Sequence, residues 1–435
     1  MDVAIKILQF ICSFTLLVMV HEMGHLLLGK LFGVRVEEFR IFFGKAWFKR
    51  RWGETEYGIG WLPFGGYAKL AGMVDESMDT AQLKSEPQPW EFRSKPAWQR
   101  LLIILGGVMM NAILAFVIYV GISLAWGDRY ISNSQMPYGY VYSDYAKALG
   151  FEDGDKIVSI AGIPIEDYAR ILPTLIIEEE KSTVVLRNGE ELTIDIPVQS
   201  VMELSEQTDF LTPRLPFVVA NVVEGMGAAE AGLRSGDEVV GVDGQEARFY
   251  DQIAPALLAH AGDTIGLTLL RDGAPVECRV TVSAEGQIGV GLASAEYIPV
   301  ANRSYTLLEA IPRGAERVVE EMRDYWKQLK MIVRPQTEMY RALSGPIAIG
   351  GIFPNEWNWE HFWKITALLS VVLAIMNVLP IPALDGGHAL FIVIEMLTGR
   401  RPSDKVMMVA QAIGMTLLLL LMFYATANDI TRLFR

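Results

Sequence analysis

Four stretches of this 435-residue chain are almost free of charge, and each is long enough to cross a bilayer. Residues 3–28 are apolar except for Lys6, Gln9 and a His/Glu group towards the end. Residues 101–127, 365–384 and 406–428 carry no charged side chain at all. A helix needs roughly 20 apolar residues to cross about 30 Å of hydrocarbon. Trp98, Trp126, Trp357, Trp359, Trp363 and Tyr424 stand at or near the ends, where interfacial aromatics belong. A set of buried soluble helices is the competing explanation, and the charge-free length of the second and fourth stretches argues against it. The first stretch is no secretory signal, because His and Glu occupy the place of a small-residue cleavage site.

Charge gives the expected orientation. Lys30, Arg35, Arg40, Lys45, Lys49, Arg50 and Arg51 crowd the loop between the first two spans, and Arg400, Arg401 and Lys405 lie between the last two. Cytoplasmic loops carry the excess of Lys and Arg, so both short loops belong inside and both termini outside. The large segment from about 128 to 360 then faces the periplasm of a bacterium. That segment supplies most of the net charge of −13, which argues against nucleic acid as a partner. Cys12 lies in a span and Cys278 outside one, which leaves neither a structural disulfide nor a thiol zinc site to expect.

The large segment repeats itself. "ALGFEDGDKIVSIAGIPI" at 148–165 matches "EAGLRSGDEVVGVDGQEA" at 230–247. Gly150, Gly154, Asp155, Val158 and Gly162 fall on Gly232, Gly236, Asp237, Val240 and Gly244, and "LRNG" at 186–189 parallels "LRDG" at 270–273. The Gly-Asp pair suits a tight turn before an alternating strand, and the later glycine suits a hairpin end. The spacing is right for tandem small domains and too long for a solenoid. Both halves resemble PDZ domains, the second more closely. After them, 305–331 is amphipathic and helical. It reads as a connector packed on the repeats, in preference to a helix lying on the membrane surface.

The chemistry sits in the first span, as VMVHEMGHLLLGK at 18–30. His21 and His25, four residues apart, share a helix face and can chelate one ion. Glu22 is placed to take a proton from water at that ion. Chance must explain three ionisable groups inside an apolar span, where such groups are costly and usually functional. A catalytic zinc needs a third protein ligand. His260 and His361 lie outside the right region. "NVLPIPALDGGHAL" at 377–390 is the better source. Pro380 and Pro382 stop the third span's helix, and broken backbone at membrane depth is tolerated where protein or a water-filled cavity surrounds it. Asp385 follows, with Gly386 and Gly387 allowing close approach. Spans one and three cross in the same direction, so their C-terminal ends share a leaflet and Asp385 can meet the histidines near the cytoplasmic side. His388 remains an alternative ligand or a neighbour of the metal.

His21-Glu22-x-x-His25 together with N-x-x-P-x-P-x-L-D-G at 377–386 resembles the site-2 protease family of intramembrane zinc metalloproteases. The resemblance extends over essentially the whole chain. It implies a polytopic α-helical membrane protein with four transmembrane helices and two tandem PDZ domains inserted between helices 2 and 3. It implies His21, His25 and Asp385 as ligands of one zinc ion and Glu22 as the base, with Asn377, Pro380 and Pro382 holding the substrate near it. "TEYGIGWLPFGGYAKLAGM" at 55–73 reads as a hairpin turning at Gly65-Gly66. In the family a similar segment, here Gly65, Gly66 and Tyr67, dips into the membrane beside the site. In span two, "GGVMMN" keeps Gly107 and Asn111 but has Val108 where the family has proline. Asn111 is therefore either a substrate contact or an interhelical hydrogen bond.

The expected layout places the first two spans and the 55–73 hairpin in 1–127 and the two repeats at 128–200 and 215–296. The connector occupies 303–350 and the last two spans 360–435. The expected partners are the lipid bilayer and single-span membrane proteins already trimmed by another protease, such as an anti-sigma factor or remnant signal peptides. The repeats would admit only trimmed substrates or bind their new C-termini, and the enzyme would act as a monomer in the bacterial inner membrane. A metal transporter would need inverted repeats and a polar path, which the sequence lacks. A catalytically dead PDZ scaffold would not need intact His21, Glu22, His25 and Asp385.

Overall fold

The computed structural model describes residues 2–73, 86–207 and 209–434. The chain divides into two compact units. Residues 1–127, 304–333 and 339–435 form one, and 128–303 with 334–338 form the other.

The first unit is built on helices α1 (Asp2–Leu31), α2 (Ala97–Ala125), α3 (Leu307–Val333), α4 (Trp359–Val378), α5 (Asp385–Thr398) and α6 (Asp404–Leu433). Among the described residues, four runs are long and apolar enough to cross a membrane: Val3–Leu31, Ala97–Ala125, Trp359–Val378 and Lys405–Arg432. Asn358 and Ser403 cap the starts of α4 and α6 by accepting backbone N–H bonds from His361 and Val406. Lipid provides no hydrophobic drive between spans, so close packing and hydrogen bonds hold them together. A side chain on Gly24 of α1 would strike the Gly106 carbonyl of α2, so these backbones touch directly. Thr366 of α4 donates to Ser13 of α1 at 2.9 Å, and Ser370 donates to the Asn111 carbonyl of α2 at 2.7 Å.

Three features of this unit bear on the sequence-based expectation; the first meets it and the other two depart from it. The third span's helix stops at its prolines, as expected: α4 ends at Val378, residues 379–384 turn, and α5 begins at Asp385. Proline at 380 and 382 accounts for the break. Second, the connector α3 packs on span helices. Gly314 abuts Val120 of α2, and Val318, Tyr325 and Leu329 join the apolar cluster of Ala115 and Tyr119 of α2 with Ala367 and Val371 of α4.

Third, 55–73 is not a simple hairpin about Gly65-Gly66, because 38–41 lies between its two arms, 56–59 and 66–70. Strand β1 (Val36–Trp52) pairs with strand β2 (Thr55–Leu70), and the chain reverses at 53–54, where Gly53 has φ +61°. Residues 46–52 pair with 55–60, and 36–41 pair with 66–70. The same 38–41 stretch also meets 56–59, so it is flanked on both sides. Residues 66–70 have β1 along one side and a cavity along the other. Gly65 lies within the strand at φ +69°, where a Cβ would enter the Phe43 ring. At Gly66 a Cβ would come within 2.7 Å of the Arg40 carbonyl. Residues 56–59 run parallel to 38–41 and 66–70 run antiparallel to it, so the chain does reverse between 60 and 66, with Gly65 and Gly66 at the end of that reversal.

The second unit contains two four-stranded sheets of matching order. In the first, Ile163–Pro164, Lys156–Ile160, Ser182–Arg187 and Glu190–Asp195 lie side by side; in the second, Gln245–Glu246, Glu238–Val242, Thr264–Arg271 and Ala274–Thr281 do. Each sheet has its own core, one around Ile160, Leu175 and Val185 and the other around Val239, Ile253 and Leu269. The sequence repeat is an ion-pair motif. Arg187 grips Asp155 with two bonds of 2.8 and 2.7 Å, and Arg271 grips Asp237 with two of the same lengths. Each arginine also donates to a repeat glycine's carbonyl, Gly150 or Gly232. Each aspartate accepts a backbone N–H three residues earlier and is almost fully buried. The hydrogen bonds from Arg271 hold the Asp237 carboxyl below the usual range.

The first of these domains runs past the expected boundary at 200. Leu204, Phe210 and Leu211 belong to its core, and Leu211–Pro213 pairs with Tyr140–Tyr142. Asp128–Ile131 and Val300–Arg303, the two ends of the insert, form an antiparallel pair. An insert that leaves beside its point of arrival needs no distortion of its host.

Candidate metal centre

Helix α1 puts His21 and His25 one turn apart on the side facing α2, and Gly106-Gly107 removes the side chains that would keep α2 away. A Cβ at Gly107 would stand 2.5 Å from His21 Cε1. The turn at 379–384 brings Asp385 to the same place as the first residue of α5. Ala383 in that turn has φ +82°, a strained conformation for a residue with a side chain, of a kind that costs about 1–3 kcal/mol and collects at functional sites. Gly386 and Gly387 let the turn fold tightly onto its own carbonyls: a Cβ on Gly387 would lie 2.5 Å from the Ile381 oxygen. Arg100 of α2 fixes the helix beyond it through an ion pair with Glu395 of α5 at 2.5 Å.

Three ligand atoms converge. His21 Nε2 lies 3.1 Å and His25 Nε2 3.5 Å from Asp385 Oδ2, and the two nitrogens are 3.3 Å apart. Bonds of about 2.0–2.1 Å to a tetrahedral zinc separate the ligands by about 3.3–3.4 Å. The three distances bracket that edge. Asp385 Oδ2 is buried and no donor is aimed at it with hydrogen-bond geometry. A carboxylate oxygen in that position is costly unless a cation takes it up. The donor set, its spacing and the orphaned oxygen all fit a zinc ion. His25 Nδ1–H donates to the Ile103 carbonyl at 2.9 Å, which leaves Nε2 with the free lone pair.

A cavity of about 730 Å³ opens beside these atoms. Glu22, Asn111, Asn377, His388 and the edge residues Gly65, Gly66, Tyr67 and Ala68 line it. The Ala68 backbone lies near the Glu22 carboxylate, and both line the cavity. Pro380 and Pro382 are not among the lining residues; the Pro382 carbonyl packs instead against Gly414 of α6. Of the remaining histidines, His361 sits in the capped first turn of α4 and His260 is half exposed in the second unit. The packing of Gly107 on His21 and the bond from His25 to the Ile103 carbonyl escaped sequence reasoning. A glycine pair inside an apolar span was the one available signal.

Span-length helices around a largely enclosed His/His/Asp centre with an adjacent glutamate define a class, the metalloproteases of the membrane. The description Peptidase family M50 matches residues 9–421. Protease RseP of Yersinia pestis is 30% identical over 463 residues, covering 100% of both chains. Regulator of sigma-E protease RseP of Escherichia coli K12 is 29% identical over 456 residues, covering 98% of each. A Vibrio cholerae protein provisionally named a zinc metalloprotease is 29% identical over 468 residues, 99% of this chain and 100% of its own. The chain belongs to peptidase family M50.

Proposed function

We propose that the chain is a zinc-dependent intramembrane endopeptidase that cuts the transmembrane segment of single-span membrane proteins. The observation that carries this reading is the convergence of His21, His25 and Asp385 beside Glu22, in a cavity bordered by span helices. These three residues would hold one zinc ion. Bound there, zinc supplies Lewis-acid polarisation of the scissile carbonyl and a more acidic water. Glu22 takes the water's proton and delivers it to the leaving amine.

A membrane helix hides its amides in its own hydrogen bonds and must unwind to be cut. The cavity side of 66–70 is a strand edge to which an unwound segment can add by β-augmentation. Asn377, on the last turn of α4, lines the same cavity and is placed to hold the unwound backbone. Pro380 and Pro382 act indirectly, by shaping the turn that delivers Asp385.

The two repeats are PDZ domains in this reading, supported by their matched strand order and glycine register. They act as a size filter that admits substrates already trimmed outside the membrane. The basic residues at 30–51 support a cytoplasmic-side active site in the bacterial inner membrane, with the repeats in the periplasm. Relatives named regulator of sigma-E protease RseP support a role in envelope stress signalling, with an anti-sigma factor as one substrate.

Purified in detergent, the full chain is expected to cut a model single-span protein inside its apolar segment. A chelator should stop the cut and added zinc restore it. Product masses that place the cut outside that segment, or cleavage indifferent to chelation, reject the reading. In the same assay, a substrate that keeps a bulky far-side domain should resist the full chain and yield to one lacking 129–296. Equal rates would remove the filter from the proposal.

A further inference from the structure

Asn111 is the cavity residue whose polar atoms are mismatched. It is fully buried on α2. Its amide nitrogen stands 3.3 Å from His21 Nδ1, and its amide oxygen has no partner. His21 Nε2 is the atom turned to the centre, 3.1 Å from Asp385 and 3.3 Å from His25. A neutral imidazole that ligates through Nε2 carries its proton on Nδ1. His21 would then aim an N–H at an NH2 group, two donors face to face. His25 has no such conflict, because its Nδ1–H meets the Ile103 carbonyl. The two ends of a carboxamide have nearly the same shape. A half-turn of the Asn111 amide places the orphaned oxygen where the NH2 stands and gives the His21 N–H its acceptor.

We propose that Asn111 is a positioning residue. Its carboxamide oxygen accepts from His21 Nδ1–H, and so holds His21 in the tautomer and ring angle that present Nε2 to the metal. The inference rests on the zinc reading above and extends it: α2 contributes no ligand, yet it sets one. Ser370 of α4 holds the Asn111 backbone in place through its carbonyl. With no exposed surface, the side chain is poorly suited to contact substrate.

The test is zinc affinity, measured by chelator competition on the full chain in detergent, for wild type, Asn111→Leu and Asn111→Asp. The leucine variant keeps the volume and removes the acceptor, and its affinity should fall by roughly 10–100-fold, as for partners of ligating histidines elsewhere. The aspartate variant keeps an acceptor and should bind zinc about as well as wild type. With zinc saturating, KM should be unchanged in both. Equal affinity in Asn111→Leu, or a raised KM at unchanged affinity, overturns the proposal and assigns Asn111 to the substrate. If the leucine variant fails to fold, Asn111→Asp decides: retained affinity supports the acceptor role, and lost affinity overturns it. Wild type that binds no zinc would count against the metal centre itself, a separate failure.

Discussion

Glu22→Gln should silence the enzyme and leave its metal in place, whereas Asp385→Ala should lose both. Glutamine fills the volume of Glu22 and keeps a polar group at the cavity. What it lacks is basicity. A positioned acid–base group is worth about 10²–10⁴-fold in rate, so cleavage should fall by that factor. Asp385 is different, because its Oδ2 is one of the three converging ligand atoms. Its removal leaves two histidines, and the affinity loss should exceed the roughly 10–100-fold seen when only a ligand's partner is removed. Metal content after gel filtration against a mild chelator, alongside turnover of a single-span substrate, separates the two variants. Zinc retained in Asp385→Ala would shift the third-ligand assignment to His388, which lines the same cavity.

Gly107→Ala is the second large effect, from a change of one methyl group. Alanine is the better helix former by about 1 kcal/mol, so helix α2 itself should tolerate it. The new Cβ would nevertheless stand 2.5 Å from His21 Cε1 and 2.7 Å from both ring nitrogens. The imidazole must move, because the backbones of α1 and α2 already touch at Gly24 and Gly106. Misplacement by about 1 Å can cost 10²-fold in rate, and weakened zinc binding should accompany it. Gly121→Ala, in the same helix with open space around it, is the control and should behave as wild type. Normal zinc affinity and turnover in Gly107→Ala would show that His21 has more freedom than this packing allows.

Much of this was legible because lipid and metal chemistry restrict which residues can serve. Charge-free length marked the spans, since charge is costly in hydrocarbon. Histidines four apart marked a helix face. The repeat was readable through its glycines because Gly150, Gly154 and Gly162, like Gly232, Gly236 and Gly244, all take positive φ. Other features had no local signature. Residues 45–51 read as a basic loop, yet they belong to β1, whose strand partner follows later in the chain. Gly65 and Gly66 mark a reversal of the chain, but the two arms flank 38–41 and do not pair with each other, and no local pattern announces that interposed strand. The core role of Leu204 and Phe210 lies beyond the matched repeat, so nothing in the register announced it. Gly107 acts on a residue 86 positions away, a relation that only the packing of two helices creates.

The glycine-bearing edge at 65–66 has a consequence for what the protease selects. It offers main chain to the cavity and, at those positions, no side-chain pocket. Pairing through main-chain groups is nearly blind to the letters of the partner's sequence. Discrimination then moves to the substrate's own helix, to how cheaply it gives up its turns. Glycine or proline placed near the cut lowers that cost by roughly 1–3 kcal/mol per residue. Substrates matched in hydrophobicity but graded in helix propensity should be cut in the order of their fragility. A ranking that follows side-chain identity at the cut would place the discrimination in a pocket instead.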